Sequence, residues 1–272
     1  MIHEASAVLK MNDQPCAVSV KQCRHGRMMY FPHDYYIGGA LERYGEYNHA
    51  ELERLLKLTK AGDVIVEVGS NIGCHTVPLA QHVGTSGKVF AFEPQRVLYH
   101  MLCGNLAMNG IWNVYTHLAA VGNSKSVAFV PDVDYTKLGN FGGVSLVDEG
   151  EWLVDIITLD SLNLTRLNLL KVDVEGMESD VLSGAGHTIS RLRPVIYIEN
   201  DRKDKSQALI SSLNRLDYDM WWSITPMFNT NNYRGNPVNE YGNTVSVDMV
   251  CIPKEAHATV DLPKVEGGLS IV

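Results

Sequence analysis

The sequence lacks an apolar run that could cross a membrane, because no stretch approaches about 18 uncharged apolar residues. Its N-terminal segment also lacks the apolar core of a secretion signal, since Glu4, Lys10, Asp13 and Pro15 interrupt it. Cysteine is scarce: the five residues form no CxxC pair, so zinc-binding spacing is absent and a reducing compartment is favoured. These absences predict a cytoplasmic protein without a membrane span.

Positive charge is also limited. The chain has 23 Lys and Arg residues against 31 Asp and Glu, a net charge of −8, and no basic run is longer than two residues. Proteins that bind nucleic acid usually present a basic face, so we predict no nucleic-acid partner. Apolar residues make up 45% of the 272 residues, which is enough for a sizeable core and excludes a disordered chain.

The central part of the chain alternates short β-branched runs with segments of helical periodicity. This alternation predicts parallel βαβ units, and therefore an α/β protein with a Rossmann-like, doubly wound, mostly parallel sheet. Residues 1–45 show no clear period and are predicted to be an N-terminal extension or cap, followed by one domain over residues 46–265. The predicted strands are 64–68, 88–92, 114–121, 169–174 and 195–199.

The end of the first predicted strand carries two glycines, Gly69 and Gly73, after the acidic residue Glu67. Glycine lets the chain turn sharply and lets backbone N–H groups approach a ligand. The GxxxG spacing differs from the GxGxxG fingerprint of nicotinamide cofactors, so it weighs against such a cofactor. Taken alone, this spacing is also compatible with a simple turn from strand to helix.

The second predicted strand ends in Glu93 and Pro94, and the acid follows Gly73 by 20 residues. A carboxylate at this place can accept both hydroxyl hydrogens of a ribose, which is the geometry that an adenosine-containing ligand offers. Together with the glycine turn, Glu93 indicates an adenosine ligand. These two features do not separate a nicotinamide cofactor from S-adenosylmethionine.

Further acids lie at the carboxyl ends of the two later strands: Asp173 and Glu175 at one, and Glu199 at the next, where Asn200 follows. Since ligands of doubly wound sheets bind outside the carboxyl ends of the strands, these side chains are expected beside the ligand. Carboxylates there can stabilise a sulfonium cation, deprotonate an acceptor or hold a divalent metal.

Six motifs follow one another along the chain: EVGSNIGCHT, FAFEP, NLAMNG, AAVG, ITLDSL and KVDVEGMESDVLSGA. In these motifs and their order the chain resembles the FkbM family of S-adenosylmethionine-dependent methyltransferases. Family members usually have Asp where this chain has Glu67, and the acidic character is kept. The resemblance implies a class I methyltransferase fold.

The resemblance also implies roles for particular residues. Asp173, Glu175 and Gly176 would lie between the cofactor and the acceptor. Glu93, with Pro94, would bind the ribose, and the stretch around Ala120 would lie near the adenine. The residues that would surround the methionine part of the cofactor are Glu67, Gly69, Asn71 and Gly73.

Methyl transfer to a hydroxyl oxygen of a small metabolite or glycan is therefore the predicted activity, with Asp173, Glu175 and Glu199 as catalytic candidates. Asp173, Glu199 and Asn200 also resemble in position the metal ligands of catechol-type methyltransferases, which makes a Mg²⁺ site a hypothesis. Two alternatives stay open: an NAD(P)-dependent Rossmann oxidoreductase and a non-catalytic Rossmann-like binding protein. The identity of the acceptor and the oligomeric state stay open as well.

Overall fold

The computed structural model describes residues 18–268. It begins with a β-hairpin, β1 (Ser19–Cys23) and β2 (Gly26–Tyr30), whose second strand packs on a helix of the central domain. Helices α1 (Ile37–Tyr44) and α2 (His49–Lys57) follow. The predicted boundary at residue 45 stays a prediction, and residues 1–17 of the predicted cap lie outside the described residues.

Strands and helices alternate over residues 64–117 and 169–215, in the way that the sequence predicts. The strands are β3 (Val64–Val68), β4 (Lys88–Phe92), β5 (Val114–His117), β6 (Ala120–Val121), β7 (Ser126–Val130), β8 (Trp152–Ile157), β9 (Leu169–Val172), β10 (Val195–Glu199), β11 (Tyr218–Pro226) and β12 (Val245–Pro253). The helices are α3 (Thr76–Val83), α4 (Arg96–Met108), α5 (Glu178–Ser183), α6 (Gly186–Leu192) and α7 (Lys203–Arg215).

Seven strands form the central sheet in the order β11-β12-β10-β9-β3-β4-β5. The five strands from β10 to β5 are parallel to one another, and β12 pairs antiparallel with both β10 and β11. The chain winds outward from β3 to β5 on one side and from β9 to β10 on the other. The α/β class and the doubly wound, mostly parallel sheet are thereby confirmed, with a switch point between β3 and β9.

Side chains of β3 alternate between two cores, one on each face of the sheet. Ile65 packs on the face of α3 and α4, whereas Val66 and Val68 pack on the face of α5 to α7. A strand covered on both faces is apolar throughout, so the acid Glu67 within β3 is an exception that requires a reason.

The predicted strand over residues 114–121 is wrong as a single element. Its first half is β5 at the edge of the central sheet, and its second half, β6, pairs with β8 in a separate three-stranded sheet. Leu118 and Ala119 form a bend between them. The apolar run continues through this bend because residues 119–121 are buried against the carboxyl end of the sheet, so hydrophobicity alone does not reveal the break.

Candidate active site

The carboxyl ends of the parallel strands open into a cavity of about 310 Å³ at the switch point, which we call the polar cavity. Its wall combines the turn after β3 with the ends of β9 and β10, as expected for ligand sites in doubly wound sheets. The N-terminal segment and the start of β12 complete it. The lining residues on which the argument depends are Tyr36, Tyr47, Glu51, Glu67, Gly69, Asn71, His75, Glu93, Lys171, Asp173, Glu175, Glu199, Asp201 and Ser246.

A second, smaller space of about 50 Å³, the apolar slot, adjoins the polar cavity. The two share Gly69, Glu93 and Asp173 among their lining residues. Pro94 and Ala120 line the apolar slot, and the sequence analysis predicts that both contact the cofactor. Ala119, Val121, Val144, Leu146 and Met177 contribute further apolar surface.

Glu93 lies between the two spaces and is fixed by the backbone around it. One carboxylate oxygen accepts the N–H of Asn71 at 2.9 Å, and the other accepts the N–H of Gln95 at 2.8 Å. Burial, together with the carboxylates of Asp173 and Glu67, raises the pKa of Glu93 to about 7. Each oxygen retains a lone pair with which to accept a further hydrogen bond.

The glycine turn after β3 is shaped by contacts that a side chain would prevent. Gly69 lies directly against the backbone of Asp173, and its φ of +88° belongs to the left-handed region. Gly73, also at +88°, leaves space for the side chain of Leu102. Gly69 and Asn71 line the polar cavity, whereas Gly73 lies behind it and lines neither space.

Glu67 and Lys171 are register partners on the neighbouring parallel strands β3 and β9, and both are at least 98% buried. Thr76 Oγ1 donates a hydrogen bond of 2.5 Å to Glu67. Burial raises the pKa of Glu67 to about 7, against the opposing effect of the Lys171 ammonium. This acid is therefore a buried group in the wall of the polar cavity, and packing alone does not account for it.

Lys171 is a residue that sequence reasoning missed. Its Nζ lies 3.0 Å from Asp173 Oδ2 and 3.7 Å from Glu51 Oε1. Burial opposes its charge, but the carboxylates of Asp173, Glu51 and Glu67 raise the pKa of Lys171 above its ordinary value. A lysine within an otherwise apolar buried strand is the signal that could have found it, because buried lysines are almost always paired.

Glu51 of α2 was also missed, and no pattern in the sequence indicates it. It lies beside His75, which follows the glycine turn. Both are at least 95% buried, and His75 Nδ1 lies 3.7 Å from Glu51 Oε1. Neither Glu51 Oε1 nor His75 Nε2 has a hydrogen-bond partner in the described part of the chain. Burial and the Asp248 carboxylate raise the pKa of Glu51 well above its ordinary value. Burial lowers the pKa of His75 well below its own.

The remaining predicted acids differ in their partners. Glu175 accepts a hydrogen bond of 2.9 Å from the guanidinium of Arg202. Glu199 Oε2 is buried and has no partner within the described residues. Burial, with the carboxylates of Asp173 and Asp201, raises the pKa of Glu199 well above its usual range.

Asn200 does not lie with the other predicted metal ligands. It is buried, its amide contacts Met249 Sδ at 3.3 Å, and it lines neither space. Among residues 18–268, no group of three or more His, Cys, Asp or Glu residues is placed to hold a metal ion. The structure therefore does not support the predicted Mg²⁺ site.

In the same part of the chain, no helix has the length and apolar character needed to cross a membrane.

Three comparisons with known proteins bear on this site. The chain is 29% identical to the hexuronic acid methyltransferase AglP of Haloferax volcanii over 59% of its own length and 70% of AglP. It is 32% identical to Methyltransferase 1 of Beauveria bassiana over 44% of its length, and spans only 57% of that relative. The methyltransferase FkbM of Methylobacillus flagellatus has a similar structure, at 17% identity and a TM-score of 0.48, covering 71% of this chain and 44% of that one.

The profile of the methyltransferase FkbM domain matches residues 67–220, which begin at Glu67 in β3 and end within β11. This region contains the glycine turn, Glu93, Lys171 and the acids after β9 and β10. Because the match covers more than half of the chain, this protein belongs to the FkbM family of methyltransferases.

Proposed function

We propose that this protein uses S-adenosylmethionine as its methyl donor. The observation that carries the proposal is the position of Glu93, between the apolar slot and the polar cavity. Its two oxygens are held by backbone N–H groups and can accept the two hydroxyls of a ribose. An adenosine bound there would have its base on the side of the apolar slot and its 5′ substituent on the side of the polar cavity.

The donor supplies a methyl group on a sulfonium, which is already a good leaving group. The protein therefore has to align an acceptor, exclude water and accept a proton. Gly69 and Asn71 form the turn that approaches the donor, and Glu67 and Asp173 provide negative charge in the cavity wall. These assignments agree with the roles that the family resemblance implies.

Of the acids considered as a base, Glu199 is better placed than Asp173. Asp173 Oδ2 is engaged by the Lys171 ammonium at 3.0 Å, and Glu175 by Arg202, whereas Glu199 Oε2 is without a partner. A raised pKa also brings a carboxylate closer to the value at which a general base is most effective. We assign Glu199 as the base and Asp173 to the stabilisation of positive charge.

We propose a hydroxyl of a small metabolite or glycan as the acceptor, in line with the sugar substrate in the name of AglP. Tyr36 and Tyr47 offer aromatic surface in the cavity wall, which suits the apolar face of a sugar ring. A nucleic-acid acceptor fits less well, because the wall is rich in carboxylates and the chain has a net charge of −8.

No step is assigned to a metal. Asp173, the first of the three predicted ligands, faces the Lys171 ammonium, and Asn200 lies outside the cavity wall. The activity is therefore expected to continue after complete chelation.

Thermal unfolding with added nucleotides tests the choice of donor. A ligand at about 100 times its Kd stabilises the folded state by about 2.7 kcal/mol, which raises the Tm measurably. We expect S-adenosylmethionine to raise the Tm equally with Mg²⁺ and with a chelator. NADH and NADPH should have no effect. Stabilisation by a nicotinamide nucleotide, or by none of the ligands, would contradict the proposal.

A further inference from the structure

Ser246 of β12 lines the polar cavity, and its hydroxyl donates a hydrogen bond of 2.7 Å to Asp248 Oδ2. Asp248 is only 2% exposed, and the same oxygen accepts the hydroxyl of Tyr197 at 3.1 Å. Neither Ser246 nor Asp248 takes part in the proposed binding of the donor or in the role of Glu199 as the base. An acid buried behind a hydroxyl of the cavity wall requires a reason, because burying a carboxyl group is costly.

The hydrogen bonds behind Asp248 all run in one direction. The guanidinium of Arg54 on α2 can only donate, and it gives a hydrogen bond of 2.9 Å to Ser223 Oγ. Ser223 Oγ lies 2.8 Å from the hydroxyl oxygen of Tyr197, and Tyr197 donates to Asp248. Since each hydroxyl has a single hydrogen, Ser223 donates to Tyr197. The chain of bonds therefore leads from α2 to Asp248, which accepts at its end.

This arrangement determines which hydrogen bond Ser246 can offer to a ligand. Its only hydrogen is directed to Asp248, so towards the cavity Ser246 Oγ can accept a hydrogen bond but cannot donate one. Burial raises the pKa of Asp248 to about 7, against the effect of the hydrogen bonds that Ser246 and Tyr197 donate, so at pH 8 the group is mostly ionised. Ser246 therefore favours a ligand that donates a hydrogen bond, as a hydroxyl group does.

Glu199 and Ser246 lie on the same face of the sheet. Glu199 of β10 is the register partner of Asp248, and Ser246 precedes Asp248 by two residues, so the three side chains leave the sheet in the same direction. Both Glu199 and Ser246 line the polar cavity. Diagonal neighbours on antiparallel strands are roughly 7–8 Å apart. A hydrogen bond of about 2.8 Å at each end lets two adjacent hydroxyl groups of one ligand join such a pair.

We propose that Ser246 binds a second hydroxyl of the acceptor, so that the enzyme selects molecules with two adjacent hydroxyl groups. This inference rests on the proposed function. The first hydroxyl loses its proton to Glu199 as its oxygen attacks the methyl group, the O–CH₃ bond forms, and the S–CH₃ bond breaks with its electron pair staying on sulfur. The adjacent hydroxyl donates to Ser246 and is not methylated. The substrate class is therefore a vicinal diol, a group that sugar rings carry.

Methyl-transfer assays on the full chain at pH 8 test the inference, with formation of S-adenosylhomocysteine as the readout. The probes are the methyl pyranosides of glucose, mannose, galactose and glucuronic acid, and the monodeoxy derivatives of the one that reacts fastest. We expect that removing one of the hydroxyls next to the methylated position lowers kcat/KM at least about fivefold, because Ser246 is then left without its donor. Derivatives that all react as fast as the intact sugar would overturn the inference. Absence of methyl transfer to every probe would instead contradict the proposed function.

Substitution of Ser246 identifies the group that recognises this hydroxyl. Ser246→Ala should lower kcat/KM for the intact sugar at least about fivefold, mainly through a higher KM, and should leave kcat/KM for the deoxy derivative unchanged. Ser246→Thr keeps the hydroxyl and should retain the preference for the intact sugar. An equal loss for both sugars in Ser246→Ala would overturn the inference, because it would indicate a structural role.

The matched control is Ser124→Ala, which removes an exposed hydroxyl that lines neither the polar cavity nor the apolar slot. Its kcat/KM for both sugars should equal that of the unchanged protein. Thermal unfolding of each variant verifies that it is folded.

Discussion

The backbone carbonyl oxygen of Asp173 lies where Gly69 would carry a side chain, 1.8 Å from the position of an ideal Cβ. Gly69 follows β3 and Asp173 follows β9, so this contact joins the two strand ends on either side of the switch point. Gly69 N–H and Ser70 N–H both donate to the carbonyl of Phe92 at the end of β4. Three strand ends are thereby fixed at one place, directly beneath the polar cavity.

Gly69→Ala should destabilise the fold by more than about 2 kcal/mol. The left-handed backbone alone costs a non-glycine residue roughly 1–2 kcal/mol, and the clash is with backbone, which no rotamer relieves. Denaturant unfolding measures the loss. Gly186→Ala is the matched control, because nothing lies within 4 Å of its Cβ position at the start of α6. Equal denaturant midpoints for Gly69→Ala and Gly186→Ala would contradict this account.

Lys171→Met should cost about 3 kcal/mol at neutral pH, since removing one partner of a buried ion pair leaves uncompensated charge. Asp173, Glu51 and Glu67 then lose their shared cation. The loss should be smaller at acidic pH, where the carboxyl groups are protonated. Lys57→Met, at an exposed position of α2, should change stability by no more than about 0.5 kcal/mol. If Lys171→Met is as stable as the Lys57→Met control, Lys171 does not compensate the charge of these carboxylates as described.

Glu93→Ala should weaken binding of S-adenosylmethionine by about 2–4 kcal/mol, because two hydrogen bonds to a charged group are lost. The N–H groups of Asn71 and Gln95 also lose their acceptor, so the turn itself becomes less ordered. Calorimetric titration measures the affinity, with Glu149→Ala, an exposed acid, as the control. An unchanged affinity would exclude Glu93 from the binding site.

The contribution of Glu67 and Glu93 to stability should decrease as pH rises between about 4.5 and 7. Burial raises the pKa of Glu67 and of Glu93 from 4.5 to about 7, so the folded protein binds more protons than the unfolded chain in this window. Stability from these groups is present below pH 4.5 and lost as pH rises to 7. Unfolding free energies of wild type and Glu67→Gln across this range test the effect, and the variant should show the weaker dependence. If the unfolding free energies of the two proteins change in parallel with pH, Glu67 does not titrate in this range.

Affinity for S-adenosylmethionine should change in the opposite direction, increasing as pH rises through 7. The cation interacts best with ionised carboxylates, and Glu67 and Glu93 both ionise in this range. Titrations at several pH values measure the trend. S-adenosylhomocysteine, which lacks the positive charge on sulfur, serves as the comparison and should show a smaller increase. An affinity for the donor that is independent of pH would contradict this prediction.

Much of the sheet could be predicted because each parallel strand is a short apolar run flanked by a helix of regular period. Strands β3, β4 and β10 have the predicted bounds. The break between β5 and β6 could not be predicted, because no glycine or proline marks it and the residues on its two sides belong to different sheets. Those of β5 pair in the central sheet, and those of β6 cover the apolar slot.

The residues of the candidate site that lie at strand ends could be predicted. An apolar run that ends in a polar residue indicates the carboxyl edge of the sheet, where ligands bind. Glu93, Asp173 and Glu199 follow this rule and line the polar cavity. Glu51 does not, because tertiary packing alone brings α2 to the glycine turn. Asn200 follows the rule in sequence, yet its side chain points to Met249 rather than into the cavity.

The wall of the polar cavity is formed by the region that matches the family profile and by the stretches on either side of it. Tyr36, Tyr47 and Glu51 precede the region that matches the family profile, and residues 244–246 follow it. In the proposed function the groups that hold the donor lie within the profile, whereas Tyr36 and Tyr47, proposed to face the acceptor, precede it. The proposal therefore makes the flanks of the profile the natural positions at which to diversify acceptor recognition in the laboratory.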